Sequence, residues 1–417
     1  MLAAATATLL AVACTPPPVA ATWTVTRLAR TATNALPVSS VNQVGAWTSA
    51  EWFASLRLDS PAGSPPTATL QLFPRTGPGG STLGAPQELT PTIDLGIAGP
   101  MGSGDVIGLG GSSQVEVFRR SGGTWSSIGT VPIPPGRFLA ALTDRWIAFR
   151  PGTPPAAGVD GTVVVQGLDT TGPTVSTTTS TALGPDPSWP AALREGFGVD
   201  VALDGDLLAV TARSADGSVA PGGRVFRATG GTWAPAVSVG GVAGGPVQVG
   251  QGLAVDDGPT VDRVAVQVRS TDTAAPVVEL YADGGDGFVP EQTLSAPVGE
   301  PDTYGGAYFG AAIGLDGDLL AVTSRGVPVP SAEVGHPDVT VGHVALYRRG
   351  ATWARESEVG GFLAPAPPDV VSLAPGRLQV AGGHVAANVF VTPDPPLGCT
   401  FPCFVFGFEA WSIDRVG

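Results

Sequence analysis

Residues Phe197–Arg213 read FGVDVALDGDLLAVTAR, and residues Phe309–Arg325 read FGAAIGLDGDLLAVTSR. Twelve of the 17 aligned positions are identical at an offset of 112 residues, so the chain carries an internal repeat. Each copy reads as a β-hairpin. Val199, Val201 and Leu203 alternate along a first strand. Asp204-Gly205 is a two-residue turn, because glycine takes positive φ without steric cost and aspartate tolerates it better than most residues. The second strand, Leu207–Val210, is apolar on both faces and must be covered on both. A sheet wedged between two neighbouring sheets meets that requirement.

A second recurring unit follows. Val225-Phe226 leads through Gly230-Gly231 into Thr232-Trp233, Val344–Tyr347 leads through Gly350 into Thr352-Trp353, and Val115–Phe118 leads through Gly122-Gly123 into Thr124-Trp125. Each is a third strand, a glycine turn and a fourth strand opened by Thr-Trp, which is the four-stranded blade of a propeller. The second strand also carries a small residue, needed where sheets crowd together. Ala209 and Ala321 anchor that position, and Ala54, Gly108, Ala148, Ala265 and Ala386 match it. Seven units result, at about 45–90, 93–136, 138–190, 197–245, 248–298, 308–362 and 373–417. The last lacks a fourth strand, while Thr22–Leu28 (TWTVTRL) opens with Thr-Trp ahead of the first. The expected fold is all-β: one seven-bladed propeller over residues 22–417, its last blade completed by residues 22–30, which would remove an exposed sheet edge.

The formal net charge is −14, with 35 Asp and Glu against 21 Arg and no Lys. This excludes a P-loop or Schiff-base lysine, and no basic patch suggests nucleic acid. The charge is read as a solvating surface. Residues 1–14 read as a signal segment. Leu10–Cys14 is similar to a bacterial lipobox with Cys14 as the lipidated residue, although Ala11 stands where leucine is preferred; Ala11-Val12-Ala13 also fits ordinary secretory cleavage. Residues 15–21 (TPPPVAA) read as a tether. The expected location is the bacterial cell envelope as a lipoprotein, with secretion as the alternative, and membrane contact only through the lipid. Cys399 and Cys403 in CTFPC are read as a disulfide.

With FG…LDGDLLAVT and the trailing G-x-TW, the chain resembles the FG-GAP repeats of integrin α-chain propellers and bacterial exported proteins. The resemblance implies a propeller that binds partners without chemistry of its own. Some blades of that family carry a D-x-D-x-D-G calcium loop. Here only Asp204/Asp206 and Asp316/Asp318 flank their turns, fewer oxygens than the six to eight calcium takes. They are read as turn formers, with calcium the minor alternative and no cofactor expected. His336 and His343 are read as solvated loop residues. No nucleophile elbow or H-E-x-x-H motif occurs.

The connections between second and third strands share one face and are the long ones: Pro151–Gly161, Ser214–Gly223, Gly326–Gly342 and Thr392–Cys403. They are expected to bind a protein or carbohydrate, with Gly326, His336, His343 and Pro396 as markers of that surface. The tight Asp-Gly turns of the other face are expected to contribute little. The leading expectation is a monomeric, non-enzymatic binding propeller. The alternatives are a sialidase-like glycan hydrolase and a calcium-dependent adhesion module.

Overall fold

The computed structural model describes residues 22–31, 41–59, 67–94, 99–153, 155–214, 222–239, 252–268, 277–296, 309–310, 312–324, 328–329, 339–340, 343–360, 369–393 and 405–416. The chain is an all-β propeller of antiparallel blades. Among the described residues seven larger sheets follow one another along the chain, and a two-stranded ribbon, Pro328–Val329 with Val339–Thr340, lies between the second and third strands of the sixth. Sheet 2 is formed by Met101–Ser103, Val106–Gly110, Gln114–Ser121 and Thr124–Pro132, and sheet 3 by Arg137–Leu142, Trp146–Pro151, Val163–Asp169 and Ser176–Leu183. Sheet 4 is Phe197–Asp204, Leu207–Ala212, Gly222–Thr229 and Thr232–Val239; sheet 5 is Leu253–Asp256, Asp262–Val268, Val277–Asp283 and Val289–Ser295. Sheet 6 is Ile313–Asp316, Leu319–Ser324, His343–Arg349 and Trp353–Gly360. Sheet 7 is Asp369–Ala381, His384–Pro393 and Val405–Val416, with Thr22–Thr31 added outside Val405–Val416.

The expectation of seven four-stranded blades needs correction: six sheets are of that form. Sheet 1 has five strands, Val41–Thr48, Trp52–Asp59, Thr67–Thr76, Thr82–Leu83 and Gln87–Leu89. Its outer position is broken in two. Thr82–Leu83 pairs with Arg75 and Thr76, and Gln87–Leu89 pairs with Leu70–Leu72. The break follows from Gly77, Gly79 and Gly80, all at positive φ, which fold the chain back on itself before the outer strand resumes.

The core lies in the seams between sheets. Leu207–Ala212 is buried at all six positions and Val106–Gly110 at all five, as strands covered on both faces must be. Their apolar side chains sort into clusters that each join two consecutive sheets, for example Phe197, Leu208 and Phe226 of sheet 4 with Ala148 and Val163 of sheet 3. Tryptophans bridge seams edge-on: Trp146 meets Trp233 with ring centres 5.1 Å apart, and Trp52 meets Trp125 at 5.9 Å. The small residues of the second strands (Ala54, Ala148, Ala209, Ala265, Ala321 and Ala386) are all buried. At the seventh such position, a Cβ on Gly108 would stand 2.7 Å from Leu142 Cδ1 and 3.1 Å from Val115 Cγ1, too close for any side chain without repacking.

Candidate functional site

The first strands of all seven sheets line one cavity of about 380 Å3. Small residues, Gly102, Ala141, Ala202, Ala254 and Gly314, are among those that line it. Asp204 and Asp316, the last residues of their strands, line the end that carries the Asp-Gly turns.

These aspartates form their turns and also lock each sheet to the next. Asp204 accepts the N–H of Asp257 at 3.0 Å, and Asp257 in return accepts the N–H of Asp206 at 2.6 Å. Asp316 accepts the N–H of Gly382 at 2.6 Å, and Asp256 accepts the N–H of Gly317. Three successive sheets thus repeat one device: the carboxylate ending a first strand holds the turn of the following sheet. Asp206 reaches the other way, to Trp146 Nε1 at 2.8 Å and Arg145 at 3.1 Å. Gly205 between them sits at φ +48, and a Cβ there would lie 2.0 Å from Asp257 Oδ2.

Gathering carboxylates at one mouth has an electrostatic consequence. Burial, with the nearby charges of Asp256, Asp257 and Asp316, pushes the Asp204 carboxyl up to about 6, against the lowering effect of the Asp257 N–H. Burial likewise raises Asp256 and Asp316, each opposed by the N–H it accepts. On the outer strands the sign reverses. Burial raises Glu291, but the Trp353 indole N–H at 3.0 Å and Arg349 at 2.6 Å together hold its pKa below the usual value. Beside it, Gln292 donates to the Trp353 carbonyl and accepts the Trp353 N–H, and Gln87 does the same for Trp125. These amides tie the outer strand of one sheet to the Thr-Trp strand of the next.

Asp204, Asp206, Asp316 and Asp318 therefore stand at the turn face that the sequence reading set aside. The recurrence of Asp at the end of the first strand, in LDGD at 204 and 316 and in VDD at 256, is the signal that could have marked it. Among the described residues no three His, Cys, Asp or Glu side chains form a metal-holding group. His343 opens the third strand of sheet 6, pairing with Ser324 and Gly360, instead of lying in the preceding connection. Cys14, Cys399, Cys403, Gly326, His336 and Pro396 lie outside the described residues. The described part of Pro151–Gly161 is tied to the short helix Ala191–Glu195 by Gly158 N–H to Glu195 at 2.7 Å and Asp160 to Arg194 at 3.2 Å.

No family model matches the chain, and no curated protein does. Solved structures share its general shape at low identity. The β-propeller domain of the Trilobed protease from Pyrococcus furiosus is similar at a TM-score of 0.45 and 10% identity, over 84% of this chain and 95% of that one. A hypothetical selenium-binding protein from Sulfolobus tokodaii is similar at 0.40 and 9%, over 78% and 92%. AofleA from Arthrobotrys oligospora is similar at 0.38 and 9%, over 81% and 90%. The strand pairing described above, and not these likenesses, carries the fold.

Proposed function

We propose that this chain is an exported, lipid-anchored and non-enzymatic β-propeller of FG-GAP type that binds a protein or glycan at the envelope surface. In this reading sheet 1 serves as a seventh blade despite its broken outer strand, and Thr22–Thr31 closes the ring. The pairing of Thr22–Thr31 with Val405–Val416 and the sevenfold wall of the central cavity support that closure.

The observation that carries the binding reading is the inequality of the two faces. First and second strands are joined by two residues in sheets 4, 6 and 7 (Gly205-Asp206, Gly317-Asp318 and Gly382-Gly383). In sheets 3, 4, 6 and 7 the second and third strands are joined by much longer stretches, from Pro151 to Val163, Ala212 to Gly222, Ser324 to His343 and Pro393 to Val405. A rigid scaffold with long segments on one side only is suited to recognition there. The test is a pull-down from native envelope with the full chain and with a variant in which residues 326–342 are shortened. Loss of captured partner with an unchanged melting temperature supports the reading; equal capture by both refutes it. Globomycin treatment, with Cys14→Ala as control, tests the anchor.

A further inference from the structure

Four large apolar side chains are exposed among the described residues, and three of them share one place. Phe138 is 51% exposed, Val159 53% and Val199 38%; the fourth, Val289, lies on the outer strand of sheet 5. Phe138 and Val199 stand near the start of the first strands of sheets 3 and 4, just before Ala140 and Asp200 of the central cavity's wall. They therefore rim that cavity at the end away from the Asp-Gly turns. The end of the second strand of sheet 3 adjoins both. A Cβ on Gly152 would come 3.2 Å from the Phe138 ring, and Arg150 Nη1 donates to the Val199 carbonyl at 3.1 Å. Val159 lies in the connection that leaves this strand. Its neighbours are pinned to the helix Ala191–Glu195, Gly158 through Glu195 and Asp160 through Arg194. Apolar groups scattered singly on a surface need no explanation, but a cluster held in water at the rim of a cavity does.

The charge at this rim is opposite in sign to that of the turn face. There Asp204, Asp256 and Asp316 gather, and arginines such as Arg145 and Arg227 are matched by acids, Asp206 for the first and Asp262 and Asp283 for the second. Here the second strands of sheets 3 and 4 finish beside Arg150 and Arg213. Arg213 is exposed, Arg150 spends Nη1 on a carbonyl, and neither pairs with a carboxylate of the described residues. The acids nearby are engaged: Asp160 with Arg194, Glu195 with the Gly158 N–H, and Asp200 with the Val201 N–H at 3.0 Å. A chain of net charge −14 thus presents a locally positive rim on its long-loop side.

We infer that this rim receives an acidic peptide, with an apolar side chain seated on Phe138, Val159 and Val199 and a neighbouring carboxylate held by Arg150 and Arg213. The inference rests on the binding role proposed for the long-loop face and names its partner as protein in place of glycan. Two of the three apolar groups are valines, which offer no flat ring for a sugar to stack on. Guanidinium groups bind carboxylates through paired, charge-assisted hydrogen bonds, and a positive patch draws in an acidic partner that the rest of this surface repels. The rim of a cavity is recessed, which admits a chain segment and keeps a flat bilayer off.

The test selects phage-displayed random dodecapeptides on the immobilised full chain, then measures the commonest as a free labelled peptide by fluorescence anisotropy. Enrichment of Asp or Glu beside an apolar residue is expected. Binding should weaken about tenfold in Phe138→Ser and several-fold in Arg213→Gln, with melting temperatures unchanged because both side chains are exposed. Failure to enrich any peptide overturns the inference. So does a selected peptide without acids, or one that native protein and both variants bind equally. Flotation of the chain with phosphatidylglycerol vesicles, abolished in Phe138→Ser, would also overturn it and assign the rim to a membrane. The envelope pull-down separates this inference from the reading beneath it. Capture lost when residues 326–342 are shortened but kept in Phe138→Ser overturns the acidic-peptide site alone; equal capture by native protein and both of these variants refutes the binding face itself.

Discussion

Replacing Asp204 by asparagine should stabilise the protein at neutral pH. The carboxylate accepts the Asp257 N–H at 3.0 Å but stands among Asp256, Asp257 and Asp316. Asparagine keeps an oxygen for that N–H and removes the charge. The folded carboxyl holds its proton up to about 6, against an ordinary value of 3.8, so between these values the folded state binds more protons than the unfolded one. Stability from this group is therefore complete below about pH 3.8 and lost as pH rises through about 6. At about 1.36 kcal/mol per pH unit, that interval sets an upper limit of about 3 kcal/mol. The side chain is only half-buried at its surface, and solvent screening brings the figure to roughly 1–2 kcal/mol. Urea unfolding at about pH 7.5 should show Asp204→Asn more stable by that amount, and the gap should largely close near pH 4. Asp204→Ala, which removes the acceptor altogether, should cost about 1–3 kcal/mol relative to the asparagine variant at both pH values. An asparagine variant less stable than native at pH 7.5, or a gap independent of pH, would refute the charge-crowding account.

Deleting residues 22–31 uncovers the Val405–Val416 edge and should lower the melting temperature of the whole protein in calorimetry; an unchanged transition removes the closure. Gly108→Val drives a branched side chain against Leu142 and Val115 and should cost about 1–3 kcal/mol in denaturant unfolding, whereas a neutral result would show a looser seam than the 2.7 Å approach implies. Gln292→Ala strips both partners from the Trp353 backbone and should destabilise by about 1–3 kcal/mol. Gln292→Glu keeps the acceptor and loses the donor, so it should fall between native and alanine, and an order reversed from this would count against the clamp.

The repeat unit was legible in the sequence because it is enforced locally and everywhere at once. Strand alternation, the Asp-Gly turn and the doubly apolar second strand each follow from steric and solvation rules acting within about ten residues. They placed the second and third strands of all seven sheets, and the small residue of each second strand marked the crowded seams. The pairing of Thr22–Thr31 with Val405–Val416 was also readable, through the Thr-Trp that opens it. Tertiary structure alone decided the rest. Asp204 meets Asp257 across 53 residues, and Gln292 meets Trp353 across 61. Neither pair has a spacing that one sheet's own geometry dictates. The fold-back at Gly77–Gly80 comes against the His384 ring from the far end of the chain. Side chains of one strand obey a period, whereas contacts between sheets depend on how separately formed surfaces come to rest against each other.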